Sequence, residues 1–145
     1  MIVSPTIVDP LASLATPVLS LALLPGNPRR GDVDAVARSL AAFGQRKPIV
    51  AKRDGTVIAG NHTLQAAMQL GWSDVAVVFV DDDDDTARAF ALADNRTAEL
   101  GTYDNEALVA MLAECDAELL AATGWSDKDV AELVAATTPP VIAGD

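Results

Sequence analysis

The sequence has little cysteine, few aromatic residues and few cations. Cys115 is the one cysteine among 145 residues, which excludes an intramolecular disulfide and a thiolate-rich zinc site and fits a reducing compartment. Aromatic residues make up 4% of the chain, and 10 Lys and Arg stand against 21 Asp and Glu, a formal net charge of −11. A chain this acidic repels phosphates, so the net charge does not support DNA as a partner.

Signals for export or membrane insertion are also missing from the apolar start of the chain. Residues 2–25 contain Asp9, Pro10 and Pro17, and no basic segment precedes them, so we predict neither a signal peptide nor a membrane span. Half of the residues are hydrophobic, which excludes a wholly disordered chain. The length suits one hydrophobic core. We expect a cytoplasmic globular domain with no membrane partner.

The charges are unevenly distributed along the chain. Residues 29–53 carry seven cations and two acids, a local charge of +5, whereas residues 81–145 carry 16 acids and three cations. A basic segment in an acidic protein indicates a focused anion site rather than a broad DNA-binding face. Ordinary scatter of surface charge is the alternative.

Apolar and β-branched runs alternate with helical patterns. The runs predict strands at residues 18–23, 48–51, 56–59 and 75–80, and the helical patterns predict helices near 33–43, 63–70 and 86–93. Asp32 has the position of an N-cap, Gly44 that of a helix stop, and Asp54-Gly55 that of a hairpin turn. The predicted fold class is α+β, a small mixed sheet flanked by helices, with a helical C-terminal tail.

The predicted organisation has four segments. Residues 1–17 contain prolines and no clear period, which predicts a flexible arm. Residues 18–112 form the main domain, residues 113–137 form a helical extension, and residues 138–145 form a disordered tail that begins at Thr138-Pro139-Pro140.

The most informative segment is Gly60-Asn61-His62-Thr63, between a predicted strand and a predicted helix. A strand that turns through glycine into a helix presents the free N–H groups of the first helical turn, together with the positive end of the helix dipole. This pattern is typical of a phosphate-binding turn, and it is also typical of an ordinary turn followed by a helix cap.

Four motifs occur in a fixed order along the chain: Asn27-Pro28-Arg29-Arg30, Gly44-Gln45-Arg46-Lys47-Pro48-Ile49-Val50, Ile58-Ala59-Gly60-Asn61-His62 and Ala93-Asp94-Asn95-Arg96. Together they resemble the N-terminal domain of the ParB/sulfiredoxin superfamily, including the ParB-like nuclease domains of phages and plasmids. The resemblance covers roughly residues 18–112. It implies a nucleotide-binding α+β fold, whose members hydrolyse CTP or ATP, transfer phosphate or are described as nucleases.

The resemblance also implies roles for individual residues. Gly60 matches the glycine of the family's phosphate-binding turn, and His62 matches the histidine of sulfiredoxins. Asn61 stands where sulfiredoxins have a catalytic cysteine and partition proteins have glutamate, which excludes sulfiredoxin chemistry. Thr63 replaces the arginine that closes the family motif, which removes a phosphate clamp. Asp94-Asn95 resembles a family segment whose acid and asparagine lie near a magnesium–triphosphate.

The chemistry of these side chains allows such roles. Asp94 and Asn95 offer the hard oxygen ligands that Mg²⁺ prefers, and Arg29 and Arg30 offer forked donors to phosphate. His62 can donate to phosphate or transfer protons. The candidate catalytic residues are His62 and Asp94. The candidate nucleotide-binding residues are Arg29, Arg30, Gly60, Asn61, His62 and Thr63, and the candidate ligands of a Mg²⁺ cofactor are Asp94 and Asn95.

Three functions remain open at this stage. The favoured one is an Mg²⁺-dependent NTPase or phosphotransferase linked to DNA transactions, with CTP or ATP as its partner. The second is a non-catalytic regulatory or binding module of the same fold, and the third is a metal-dependent ParB-like nuclease. The sequence also leaves open whether the chain forms a homodimer or binds a protein partner.

Overall fold

The computed structural model describes residues 5–139 and 144. These residues divide into two compact units, the first ending at Leu100 and the second beginning at Gly101. The first unit contains a four-stranded mixed sheet in the order β1-β4-β2-β3. These strands are β1 (Ala15–Pro17), β2 (Ile49–Lys52), β3 (Val57–Ala59) and β4 (Asp74–Val80). β2 runs parallel to β4, and the β1–β4 and β2–β3 pairs are antiparallel. The predicted α+β fold class is confirmed.

Two helices and the sheet form the main core. α1 (Val33–Phe43) begins at Asp32, whose side chain accepts a hydrogen bond from the Ala35 N–H, and it ends at Gly44. α2 (Asn61–Gln69) begins directly after Gly60. One buried cluster joins α1 and α2 to the strands through Leu40, Leu64, Ile49, Val57, Val75 and Val77.

A third helix packs on β3. α3 (Asp84–Leu100) contributes Ala87 and Ala91 to a second buried cluster, which also contains Ile58 of β3. The predicted helix 86–93 is therefore too short. Asp94, Asn95 and Arg96 lie inside the helix and do not end it, because the Asn95 amide donates to the Ala91 carbonyl (3.1 Å) and the Thr97 hydroxyl donates to the Asp94 carbonyl (3.2 Å).

The predicted strand at residues 18–23 is wrong. Val18–Ser20 forms a 3₁₀ turn, in which the Ser20 hydroxyl donates to the Pro17 carbonyl at 2.7 Å. The strand lies earlier, at β1, inside the segment expected to be a flexible arm. That segment also contains a 3₁₀ helix, Asp9–Leu14. The prediction was wrong because it relied on the absence of a periodic hydrophobic pattern. Three-residue strands and 3₁₀ turns are too short to show such a pattern.

The second unit is helical, with α4 (Asn105–Ala113), α5 (Ala117–Ala122) and α6 (Asp127–Thr137). Ser126 and Asp129 form a capping box at the start of α6, and the rings of Tyr103 and Trp125 pack edge to face at 5.9 Å. Residues 1–4 of the predicted arm, and residues 140–143 and 145 of the predicted tail, lie outside the described residues. No described helix has the length and hydropathy needed to cross a bilayer.

Candidate functional site

The turn between β3 and α2 requires glycine at position 60. Gly60 adopts φ +98°, and a Cβ at this position would lie 2.9 Å from Cγ1 of Ile49, a core residue with 1% exposure. The first N–H groups of α2 follow immediately, and the first N–H groups of a helix have no carbonyl partner within it. The sequence therefore builds an anion-compatible helix start at the predicted position.

Asn61 points into the protein. Its side chain is 6% exposed, its Oδ1 accepts a hydrogen bond from the Leu24 N–H at 2.8 Å, and its Nδ2 donates to the Val57 carbonyl at 3.3 Å. Both ends of the amide are thus bonded within the protein, which gives Asn61 a role in holding the segment that begins at Leu24.

His62 is half-buried and contacts the segment that precedes α1. Its Nε2 accepts a hydrogen bond from the Gly31 N–H at 2.9 Å, which assigns the ring proton of a neutral imidazole to Nδ1. A Cβ at Gly31 would lie 2.7 Å from Cγ of the ring. The imidazole therefore packs directly on the Gly31 backbone.

Most of the predicted site residues line one small cleft. Arg29, Gly60, Asn61, His62, Asp94 and Asn95 surround a volume of about 30 Å³. This volume is about that of one water molecule in the liquid and far below the usual size of small-molecule sites. The structure brings these residues together around one cleft.

Arg30 lies outside that cleft, in a neighbouring surface depression of about 380 Å³ that Arg29 and Arg96 also line. Glu99 lies between Arg29 and Arg96, and its carboxylate is 3.5 Å from Nη1 of Arg29 and 3.3 Å from Nη1 of Arg96. The carboxylate thus offsets part of the positive charge on this surface.

The fit of Mg²⁺ depends on the oxygen atoms of Asp94 and Asn95. Asp94 has an exposed carboxylate, and Asn95 uses its Nδ2 within the helix, which leaves its Oδ1 as a ligand. Among the described residues no group of three or more His, Cys, Asp or Glu side chains could hold a metal ion. Since Mg²⁺ often binds through one or two protein oxygens together with phosphate oxygens, the pair fits a phosphate-bound ion.

A larger groove is lined by residues of α1, of the Gly44–Lys47 loop and of the first turn of α2. Its volume is about 470 Å³, which is within the range of small-molecule sites. We call it the α1–α2 groove. It is lined by Val36, Ser39, Leu40, Phe43, Gly44, Gln45, Arg46, Lys47 and Thr63. Thr63 therefore lines this groove and not the small cleft.

The floor of the groove is held rigidly. Gln45 is 1% exposed, and its side chain bonds to the N–H and carbonyl of Ala76 in β4 at 2.7 and 3.0 Å. Arg46 donates from Nε to the Phe43 carbonyl at 3.1 Å, and its guanidinium lies over the Phe43 ring at 5.5 Å. The α1–α2 groove thus combines fixed backbone, an aromatic face and two exposed cations, Arg46 and Lys47.

Sequence reasoning missed Ser39, Phe43, Arg46 and Lys47 as site residues. Two signals pointed to them: the local charge of +5 over residues 29–53 and the Gly44–Val50 motif. The decisive fact is tertiary, since α1 must pack beside α2 before these side chains and Thr63 line one groove.

Residues 27–96 match the family model of the ParB N-terminal domain. The chain carries a ParB-like domain. The truncated chromosome-partitioning protein ParB from Caulobacter crescentus, in complex with CTP-gamma-S, has a similar fold, with a TM-score of 0.67 and 20% identity over 82% of this chain and 74% of that chain. The Pnob8-like ParB-N domain has a TM-score of 0.50 and 20% identity over 66% of this chain and 40% of that chain.

These likenesses establish the fold of the ParB-like domain and confirm the predicted resemblance. Among curated proteins, no sequence matches the chain significantly. The activity of the domain therefore has to be argued from its own residues.

Proposed function

We propose that the ParB-like domain binds a nucleoside triphosphate in the α1–α2 groove, in the service of a DNA transaction. The observation that carries this proposal is the groove itself, which has a volume of about 470 Å³ and is lined by Arg46, Lys47 and Thr63. Arg and Lys side chains bind phosphate oxygens through charge-assisted hydrogen bonds. CTP is the first nucleotide to test, because the ParB structure of similar fold contains CTP-gamma-S.

We assign the phosphates to the part of the groove that is lined by Thr63, Lys47 and Arg46. Lys47 and Arg46 are both exposed, so they can turn toward a ligand without breaking a buried contact. The Thr63 hydroxyl supplies a neutral donor there. Asp94 and Asn95, the predicted Mg²⁺ ligands, line the small cleft and not the α1–α2 groove, so Mg²⁺ is proposed to enter the groove bound to the phosphates, whose charge it would neutralise.

The proposal in its more specific form is that the domain also turns the nucleotide over, as an NTPase or phosphotransferase. A specific observation favours the second candidate, a binding module without turnover. Nε2 of His62 already accepts the Gly31 N–H, and Thr63 occupies the position of the family's arginine. Both features reduce the groups free to stabilise a transferring phosphate.

Calorimetry with CTP, ATP and GTP, each with and without Mg²⁺, tests binding, and release of inorganic phosphate tests turnover. Lys47→Glu should weaken binding about tenfold or more, since it removes a charge-assisted hydrogen bond and adds repulsion. Lys128→Glu is the matched control, because Lys128 is an exposed cation in the second unit. Equal losses in both variants, or no binding by the wild type, would remove the proposal. Binding without phosphate release would select the module.

A further inference from the structure

Two consecutive residues at the start of α2 hold both ends of one loop. The loop runs from Leu24 to Gly31, contains Arg29 and Arg30, and is called the arginine loop here. Oδ1 of Asn61 accepts the N–H at its first residue, at 2.8 Å, and Nε2 of His62 accepts the N–H at its last, at 2.9 Å.

Besides these two hydrogen bonds, the Leu24 side chain packs against the second buried cluster, and the remaining contacts of the arginine loop are weaker or local. Oδ1 of Asn27 accepts the Arg29 N–H at 3.0 Å, which stabilises a turn within the loop but does not attach it to anything else. The Arg29–Glu99 ion pair has a 3.5 Å separation between half-exposed side chains, and such pairs contribute little. Of the two acceptors on α2, Asn61 is buried and His62 is half-buried, and the loss of a hydrogen bond costs more where it leaves a buried group unpaired.

The far end of the loop leads directly into α1. Gly31 precedes Asp32, the N-cap of α1, and the His62 ring packs on the Gly31 backbone with no room for a Cβ. The contact between His62 and Gly31 therefore joins the start of α1 to the first turn of α2, in addition to the core packing between the two helices. α1 and the Gly44–Lys47 loop line most of the α1–α2 groove, and Thr63 of α2 completes the lining.

We propose that Asn61 and His62 are positioning residues that clamp the arginine loop and the start of α1 to α2, and so set the width of the α1–α2 groove. Asn61 acts on the Leu24 end and His62 on the Gly31 end. The effect of the clamp on nucleotide affinity rests on the proposed function, whereas the clamp itself does not.

Amide hydrogen exchange tests the clamp without any nucleotide. His62→Ala should raise the exchange rate of the Gly31 amide about tenfold or more and leave that of Leu24 nearly unchanged. Asn61→Ala should do the reverse. His62→Gln keeps an acceptor at the same reach and should retain most of the protection at Gly31, whereas His62→Arg offers only donors and should not. Met68→Ala, at a 55% exposed position of α2, is the control.

A double-mutant cycle adds an independent check. Gly31→Ala should displace the imidazole in the wild type and release its own amide, but should have little further effect in the His62→Ala background. Additive effects, or unchanged exchange at Gly31 in His62→Ala, would overturn the clamp.

Nucleotide affinity then separates the clamp from the proposed function. If the wild type binds CTP or ATP, His62→Ala and His62→Arg should weaken binding by several-fold and His62→Gln should restore it. An affinity unchanged in all three would overturn the link between clamp and groove. If the wild type binds no nucleotide, the proposed function fails while the exchange data still decide the clamp.

Discussion

At the scale of single residues, Gly60 serves the backbone and the core at once. Its φ of +98° lies in the region that side chains rarely adopt, and the space beside it is filled by Ile49. The glycine of this turn is therefore a structural requirement, whatever the ligand.

We expect Gly60→Val to lower the free energy of unfolding by about 2–4 kcal/mol, from backbone strain together with overpacking against Ile49. Gly26→Val is the matched control, since Gly26 has φ +69° but a Cβ there would meet no atom within 4 Å, so this variant carries only the strain. Urea unfolding measures both. Equal losses of unfolding free energy in Gly60→Val and Gly26→Val would mean that Ile49 moves aside at no energetic cost.

Thr63 allows a test in which a substitution should increase the affinity for nucleotide. Thr63→Arg should tighten binding of a nucleoside triphosphate by about 1–3 kcal/mol, because a guanidinium would reach the phosphates in the α1–α2 groove. Thr102→Arg adds the same charge at an exposed position of the second unit and should leave affinity nearly unchanged. Calorimetry that gives equal affinities for wild type and Thr63→Arg would contradict this assignment of the phosphates.

At the scale of elements, the sequence was most informative where a helix has both a cap and a stop. Asp32 and Gly44 fixed α1 to the predicted residues, and the Asp54-Gly55 turn joins β2 to β3 as predicted. The predicted end of the third helix was wrong because the polar residues there do not cap the helix. Asn95, for example, lies inside α3 and donates from its side chain to the Ala91 carbonyl. The small cleft was predictable from motifs, but the groove depends on the packing of α1 on α2, which no local pattern encodes.

The start of α3 gives a prediction about acid stability. Oδ1 of Asp83 accepts the Thr86 N–H at 2.7 Å, and this backbone hydrogen bond holds the pKa of Asp83 below its usual range. A lowered folded-state pKa contributes stability that is complete above the unfolded value of about 4 and is lost as pH falls through the folded value. At pH values below about 4, the melting temperature should therefore decrease as the pH decreases. The decrease should be less steep in Asp83→Asn, which keeps the acceptor but does not titrate.

A variant that melts with the same pH dependence as the wild type would show that Asp83 adds nothing to the acid transition. Other carboxylates share the behaviour, because the Thr56 backbone N–H likewise lowers the pKa of Asp54. The slope should fall in Asp83→Asn without disappearing.

At the scale of the whole molecule, acidic residues neutralise part of the basic segment and leave the rest near the groove. Lys52 pairs with Asp84, Arg53 with Asp81 at 2.8 Å, and Arg29 with Glu99. Within the described part of the chain, no such ion pair involves Arg46 or Lys47. The α1–α2 groove of this acidic protein is thus lined by two cations whose charge no such ion pair offsets.

This charge distribution predicts that nucleotide affinity depends on salt. Raising KCl from about 0.1 M to about 1 M shortens the screening length from roughly 10 Å to roughly 3 Å, so the dissociation constant should rise. Lys47→Gln removes one of the cations at the groove and should flatten the salt dependence, whereas Lys128→Gln should keep the wild-type slope. Calorimetric titrations across the salt series measure all three. An affinity independent of salt would mean that the ligand is held by neutral groups, and the phosphates would then have to lie away from Arg46 and Lys47.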